Sequence, residues 1–363
     1  MSVVLLVFGF SIALSVCAVA LILKICHRKG WYDHLDERKI HSGNIPRMGG
    51  IGFTLAFFVI MTAIGIVYKI SGVDVVRFFP CAAAMIITLL SGVYDDFRPM
   101  SPRYKLLIQI AAALCVTIPG FTFERLLYGG TGILTDLGIF SYPITILWVV
   151  GLTNAINLMD GVDGLAGGLS ALIVFFLGLI FFYFAGVSKS VFLCACLLGV
   201  LIGFLAFNAP FPRAKIFMGD GGSQFLGLTL ALLVVMKDQF KPSSLPVFYA
   251  AALFAIPILD TTAAVWRRLR DGKKIYDPDK SHLHHKLLNL GLNARGVISV
   301  VFGLQIILGV LTFISVRLEG APSLLVLGAA YFIALSFFIA IHFLNRRTAK
   351  EPMAENAGNN SEN

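Results

Sequence analysis

The chain has 363 residues, of which 58% are hydrophobic and only 13% charged, about half of the roughly 25% charged share of a soluble domain. With a mean hydropathy of +0.85, this composition excludes both a soluble globular domain and a disordered chain. The formal charge of +9 does not imply nucleic acid, because a basic face beside anionic headgroups accounts for it.

The expected elements are transmembrane helices. A run of about 18 apolar residues crosses a bilayer core about 30 Å thick, and eleven stretches approach that length: 3–25, 51–69, 77–94, 104–119, 138–159, 164–186, 190–207, 218–236, 245–266, 297–316 and 321–343. Several are borderline and the sixth and seventh nearly touch, so ten spans are also allowed. The first has no charged n-region and reads as a retained span rather than a cleaved signal. Between the spans, FTFERLLYGGTGILTDLG (121–138) alternates polar and apolar residues around Gly129-Gly130, which predicts a small β-hairpin. The longest loops are 26–48 and 267–296. The six cysteines lie in or beside apolar runs without metal-type pairing and read as small core residues.

The fold class is therefore all-α: a polytopic bundle of about eleven membrane helices with one extracytoplasmic hairpin. Residues 1–345 form a single catalytic domain, and 346–363 form a polar, disordered cytoplasmic tail. A glycosylation sequon at Asn359-Asn360-Ser361 is meaningless in a cytoplasmic tail. With the N-terminus outside, the cytoplasmic segments 24–48, 98–105, 213–215, 267–295 and 346–350 hold 22 of the 29 Lys and Arg. That bias orients the bundle with its C-terminus inside.

Carboxylates are costly in a membrane helix, about 2.5–3.5 kcal/mol on insertion scales, so each merits a location. All the unusual ones fall on the cytoplasmic side. SGVYDDFRPMSPRYK (91–105) puts Asp95 and Asp96 before Arg98, Arg103 and Lys105, as a Mg²⁺ or phosphate station or as a polar loop with a Pro turn. NAINLMDGVDGLAGG (154–168) repeats Asn154, Asn157 and Asp160 along neighbouring parts of one helical face. Asp163 follows among glycines that allow close backbone approach, and a plain Asp-Gly turn is the alternative.

FNAPFPRAKIFMGDGGSQFLG (207–227) joins Asn208, Phe217 and Asp220 to a Gly-Gly helix start. Free N–H groups there would bind an anion and Asp220 a metal, unless Asp220 simply caps the helix. Neither this stretch nor MGGIG (48–52) meets the P-loop or dinucleotide templates. DPDKSHLHHKLLNLGL (277–292) sets His282, His284 and His285 beside Lys280 and Lys286. Such imidazoles would bind or protonate phosphate oxygens near neutral pH; a solvated loop or a zinc site is the alternative. Together these parts are those phosphoryl transfer requires, since its catalysis is mainly positioning and charge neutralisation.

NAINLMDGVDGLAGG, SGVYDD with Lys105, KIFMGDGGS and HLHH, in this order, resemble the polyprenyl-phosphate N-acetylhexosamine-1-phosphate transferases over about residues 1–345. The resemblance implies transfer of a sugar 1-phosphate from a UDP-sugar to undecaprenyl phosphate, releasing UMP, with Mg²⁺ or in its place Mn²⁺. By it, Asp95 and Asp96 are the acidic pair near the lipid phosphate, Asp220 the metal ligand and Phe217 the ring on uracil. Asn157, Asp160 and Asp163 line the nucleotide-sugar pocket with Asn208 beside them. His282, His284 and His285 contact the diphosphate, and Lys105 faces phosphate.

The peptidoglycan branch, which uses UDP-MurNAc-pentapeptide, typically carries TPTMGG and HHH. Here the chain reads IPRMGG (45–50) and HLHH, similar to the GlcNAc-1-phosphate branch that begins teichoic acid, lipopolysaccharide O-antigen and related glycans. The expected partners are UDP-GlcNAc, undecaprenyl phosphate and the bilayer of the bacterial inner membrane, with the active site on its cytoplasmic face, a homodimer admitted and no nucleic acid. A phosphate monoester is largely dianionic at pH 7, which favours direct attack over a covalent aspartyl intermediate. An anion transporter is the rival class, but it requires mid-span charges and inverted halves, and neither is found.

Overall fold

A computed structural model describes residues 1–32, 45–67, 72–127, 136–209, 213–236, 245–277, 279 and 281–348. The chain forms α1 (Ser2–Lys29), α2 (Gly49–Val67), α3 (Gly72–Phe97), α4 (Pro102–Thr117), α5 (Ser141–Met159), α6 (Leu165–Ala185) and α7 (Lys189–Asn208). After these come α8 (Gly219–Val235), α9 (Val247–Leu253), α10 (Ala255–Arg270), α11 (Leu283–Asn289), α12 (Ala294–Arg317) and α13 (Gly320–Thr348). It is an all-helical, multi-pass membrane protein.

Each of the eleven apolar stretches carries a helix, but the helices are not equivalent. Among the described residues eight are long and apolar enough to span, and a ninth counts if α9 and α10, which meet at 87°, are one broken span. The remaining two are short. α4 has 16 residues and α8 has 17, about 24–26 Å at 1.5 Å per residue. α8 has a reason to be short: every residue in it except Asp220 is buried, because α2, α3, α5, α6 and α7 all pack around it. A helix shielded from lipid need not match the bilayer.

Small residues bring the surrounding helices close to α8. A Cβ on Gly92 of α3 would overlap the α8 backbone at Asp220 and Gly221, and one on Gly50 of α2 would overlap Gly222. Deeper down, Phe225 packs against Phe53, Phe57 and Phe58 of α2 with ring centroids 5.6–6.1 Å apart.

The hairpin expected over 121–138 falls partly outside the described residues. Among the described ones there is no strand; Arg125 and Asp136 form a single antiparallel bridge, with Leu137 N donating to Glu124 O at 2.9 Å. The same segment is also held from outside, since Val247 N and Phe248 N donate to Arg125 O and Leu126 O. Much of the 26–48 loop, Lys280, and the tail from residue 349 with its sequon lie outside the described residues.

Candidate active site

The site is built from helix ends. α3 finishes with Asp95 and Asp96. Asp95 Oδ1 accepts from Met100 N at 2.6 Å, which closes the turn into α4. Its Oδ2 lies 2.9 Å from Nζ of Lys105 in the first turn of α4, and the same Nζ donates to Asp220 Oδ2 at 2.6 Å. These three side chains are 14–24% exposed, so the ion pairs are poorly screened compared with surface pairs.

Asp96 points elsewhere. Its two oxygens accept from the backbone N–H groups of Asp220 at 3.0 Å and Gly221 at 3.2 Å. The first turn of any helix leaves N–H donors without intrahelical partners, and the α8 N-cap, Met218, supplies no side-chain acceptor. The sequence offers this Gly-rich start either as an anion site or as a capped helix end. In the structure the Asp96 carboxyl takes those donors.

The asparagines of α5 descend away from this centre. Asn157 Nδ2 donates to Ser223 Oγ of α8 at 2.8 Å. One turn deeper, Asn154 exchanges hydrogen bonds with Gln109 of α4, which also reaches Gln224 of α8. Gln109, Asn154 and Gln224 thus form an amide layer beneath Lys105, Asn157 and Asp220.

α5 stops at Asp160, where Gly161 and Gly164 follow and Gly164 takes φ 78° at the start of α6. That left-handed turn is tied down from below: Asn208 accepts from Gly164 N at 2.9 Å and donates to Ile216 O at 3.0 Å. Asn208 is 2% exposed, so its amide joins two loops. Asp160 itself is half-buried. Burial and then the Asp220 charge push its carboxyl well above the usual range, with Asp96 and Asp163 adding to the rise and Arg47 opposing it.

Phe217 is half-buried in the approach to α8. Its N–H donates to Pro46 O at 2.8 Å and its carbonyl accepts from Gly49 N at 2.9 Å, while Gly50 N donates to Met218 O at 2.9 Å. The IPRMGG segment therefore lies along KIFMGD, and position 219 needs glycine both for its φ of 76° and because a Cβ there would overlap the Arg47 carbonyl and the Asp96 carboxyl.

The His loop closes over the Asp160 turn. A Cβ on Gly161 would overlap the His284 ring. His284 stacks on His282 with centroids 6.0 Å apart and an interplanar angle of 5°, and its other neighbour is His285 at 4.3 Å. Burial, reinforced by the neighbouring His285, lowers the His284 pKa to about 4. At neutral pH it is an uncharged imidazole, which suits it to binding phosphate oxygens rather than to protonating them. Lys286 is also lowered, by burial first and Arg267 second.

Among the described residues no three His, Cys, Asp or Glu side chains gather around one point as a complete metal cage. The donor set nevertheless fits Mg²⁺. Asp95 and Asp220 each bring an oxygen within 3 Å of a single Lys105 nitrogen, and Mg²⁺ takes only one or two carboxylates, completing its shell with water and substrate phosphates.

Residues 78–238 match the sequence pattern of glycosyl transferase family 4. A probable undecaprenyl-phosphate N-acetylglucosaminyl 1-phosphate transferase of Bacillus subtilis is 34% identical over 289 residues, covering 78% of this chain and 76% of that protein. The chain belongs to glycosyl transferase family 4. Two more relatives carry the name undecaprenyl-phosphate alpha-N-acetylglucosaminyl 1-phosphate transferase. That of Escherichia coli K12 is 30% identical over 75% of this chain and 73% of its own. That of Yersinia pestis is 27% identical over 87% and 84%.

The family pattern runs from α3 through α8 and so contains every carboxylate described above, while the His loop lies beyond it. Sequence reasoning passed over several residues that meet these groups. Gln109, Ser223 and Gln224 resemble ordinary span polars and gave no separable signal. In the sequence Arg47 reads only as part of the IPRMGG branch difference. Asp260, which accepts from His282 Nδ1 at 2.8 Å, did carry a signal, as the sole acid in the 245–266 stretch.

Proposed function

We propose that this protein transfers GlcNAc-1-phosphate from UDP-GlcNAc to undecaprenyl phosphate, giving undecaprenyl-diphosphate-GlcNAc and UMP, at the start of an envelope glycan such as teichoic acid or O-antigen. The observation that carries it is the convergence of Asp95, Lys105 and Asp220 from three helix ends, in a chain 34% identical to a relative named for this transfer. Residues 1–345 form one catalytic domain with eleven crossings in the bacterial inner membrane, α4, α8 and the broken α9–α10 pair included. The Lys and Arg bias supports a cytoplasmic site.

Asp220, with Asp95 beside it, would hold Mg²⁺, which when bound would supply positive charge against the diphosphate of the donor. Lys105 then passes from its carboxylate partners toward phosphate oxygens as a point charge. Asp95 orients the lipid phosphate. That phosphate is largely dianionic at pH 7 and attacks the donor's sugar-bearing phosphate directly, breaking its bond to the UMP phosphate.

Asp96 acts as the α8 cap that fixes Asp220, and Asn208 as the staple under the Asp160 turn. Asn157, Asp160 and Asp163 line the sugar-nucleotide pocket, with Phe217 stacking on uracil. His282, His284 and His285 meet the diphosphate, His284 as a neutral hydrogen-bonding ring.

Purified protein incubated with UDP-GlcNAc, undecaprenyl phosphate and Mg²⁺ should release UMP, and chelation should stop it. Release with UDP-MurNAc-pentapeptide but not with UDP-GlcNAc would overturn the donor assignment.

A further inference from the structure

Asp260 is 2% exposed, in the second turn of α10. A carboxylate this deep is retained only when its oxygens are satisfied, and here both partners come from one short element. Oδ2 accepts from His282 Nδ1 at 2.8 Å and Oδ1 from Leu283 N at 2.7 Å. Leu283 opens α11, and His282, its N-cap residue, provides no side-chain cap of its own. Asp260 therefore caps α11 and holds the ring of its N-cap residue at once.

Two consequences follow from this geometry. A carboxylate facing Nδ1 accepts a hydrogen bond from it, so Nδ1 carries the hydrogen and Nε2 is left for another contact. The ring plane is also passed on, because His284 lies parallel to His282 and covers Gly161 next to Asp160. His284 has no comparable clamp, since its Nδ1 is buried without a hydrogen-bond partner among the described residues. Its orientation is set by packing alone, against His282 on one side and against His285 and Gly161 on the others. The 87° break between α9 and α10 gives α10 the direction that brings Asp260 under α11.

We propose that Asp260 is a positioning residue for the sugar-phosphate transfer. It fixes the His282 tautomer and aligns the His282–His284 pair against the Asp160–Gly161 turn, leaving His282 Nε2 as the nitrogen that meets the donor's phosphates. This rests on the reaction proposed above. Asp260 does not itself touch substrate.

The test compares Asp260→Asn, His282→Ala and the double variant, purified and matched for thermal unfolding, by UMP release against UDP-GlcNAc concentration. Asp260→Asn should lower kcat by roughly 10- to 100-fold, the usual effect of losing a carboxylate behind a functional histidine. The double variant should be no slower than His282→Ala alone, because the effect runs through that ring. A wild-type kcat in Asp260→Asn, or an undiminished penalty in the His282→Ala background, would overturn the proposal. Nitrogen-15 NMR of ring-labelled histidine in the resting wild-type protein, with the His282 signal assigned from its loss in His282→Ala, should show the Nδ1–H tautomer. An Nε2–H tautomer would equally overturn it. The NMR arm needs no turnover, so wild-type protein that releases no UMP would sink the reaction while leaving the clamp to stand or fall by itself.

Discussion

Lys105 Nζ stands 2.6 Å from Asp220 Oδ2 and 2.9 Å from Asp95 Oδ2, so one ammonium joins the ends of α3, α4 and α8. Removing it leaves two half-buried carboxylates facing one another without the ammonium that offsets their repulsion. Lys105→Ala should lower kcat for UMP release by about 100- to 1,000-fold, the effect of deleting one preorganised electrostatic group. Lys105→Arg should recover only part of this, because a planar fork cannot replace a compact point charge between two oxygens. Wild-type turnover in Lys105→Ala would remove the residue from the reaction.

Asp96 supplies the two acceptors at the start of α8. Asp96→Ala leaves two N–H groups unpaired in a half-buried place, at a cost of about 1–3 kcal/mol, and should lower the thermal midpoint of the detergent-solubilised protein by several degrees. Asp96→Asn keeps an oxygen acceptor and should fall between the two. Equal midpoints for Asp96→Ala and wild type would mean that the cap contributes nothing.

The glycines separate a structural from a functional failure. Gly92→Ala sets a methyl group into the α8 backbone at Asp220 and Gly221. Backbone cannot yield as a side chain can, so this variant should lose about 1–3 kcal/mol of stability together with activity. Gly161→Ala meets only the His284 ring. It should keep its thermal midpoint yet release UMP more slowly, because the ring must turn away from the Asp160 turn; unchanged turnover would place His284 outside the site.

The sequence singles out acidic candidates because charge in a membrane helix is costly wherever it occurs. Asp95, Asp160 and Asp220 stood out for that reason, and their shared side followed from alternating helix direction. What the residues do was less legible. Asp96 and Asn208 carry the same kinds of groups as their neighbours, and only the tertiary fold reveals that backbone amides and carbonyls already occupy them. Asp260 is visible as the sole acid of the 245–266 stretch, but its partners His282 and Leu283 lie in a separate segment, and only the tertiary fold brings them together. The short helices α4 and α8 illustrate a related point, since length alone cannot distinguish a helix that meets lipid from one enclosed by others.

His284 makes stability depend on pH in a definite window. Its folded pKa of about 4 lies below the roughly 6.5 of an unfolded histidine, so the unfolded chain binds the proton first as pH falls. The contribution is fully favourable above about pH 6.5 and is lost progressively toward pH 4, by at most about 3 kcal/mol. Asp279, held low by Arg267 and the Ser281 N–H despite its burial, acts in a different range, below the usual carboxylate pKa of about 4. His284→Gln should therefore flatten the fall in thermal midpoint between pH 7 and pH 5; an identical slope in that variant would show that the ring is protonated in the fold.

Gln109, with 2% exposure, and Gln224, with none, hold α4 and α8 together through amides that a lipid environment could not satisfy. The Gln109 side chain also pairs with Asn154, whose Nδ2 donates at 2.6 Å, so its loss strands groups on two other helices at once. Gln109→Ala should cost about 1–3 kcal/mol, read as a lower thermal midpoint. The layer sits one turn below Lys105 on α4 and one turn below Asp220 on α8, so register set by the amides becomes distance at the ion pair. Replacing Gln109, Asn154 and Gln224 together with Leu removes every amide and leaves none unpaired, which can restore stability. That triple variant should unfold near the wild-type temperature while turning over more slowly than wild type. Full activity in it would show that the helices hold their register by packing alone.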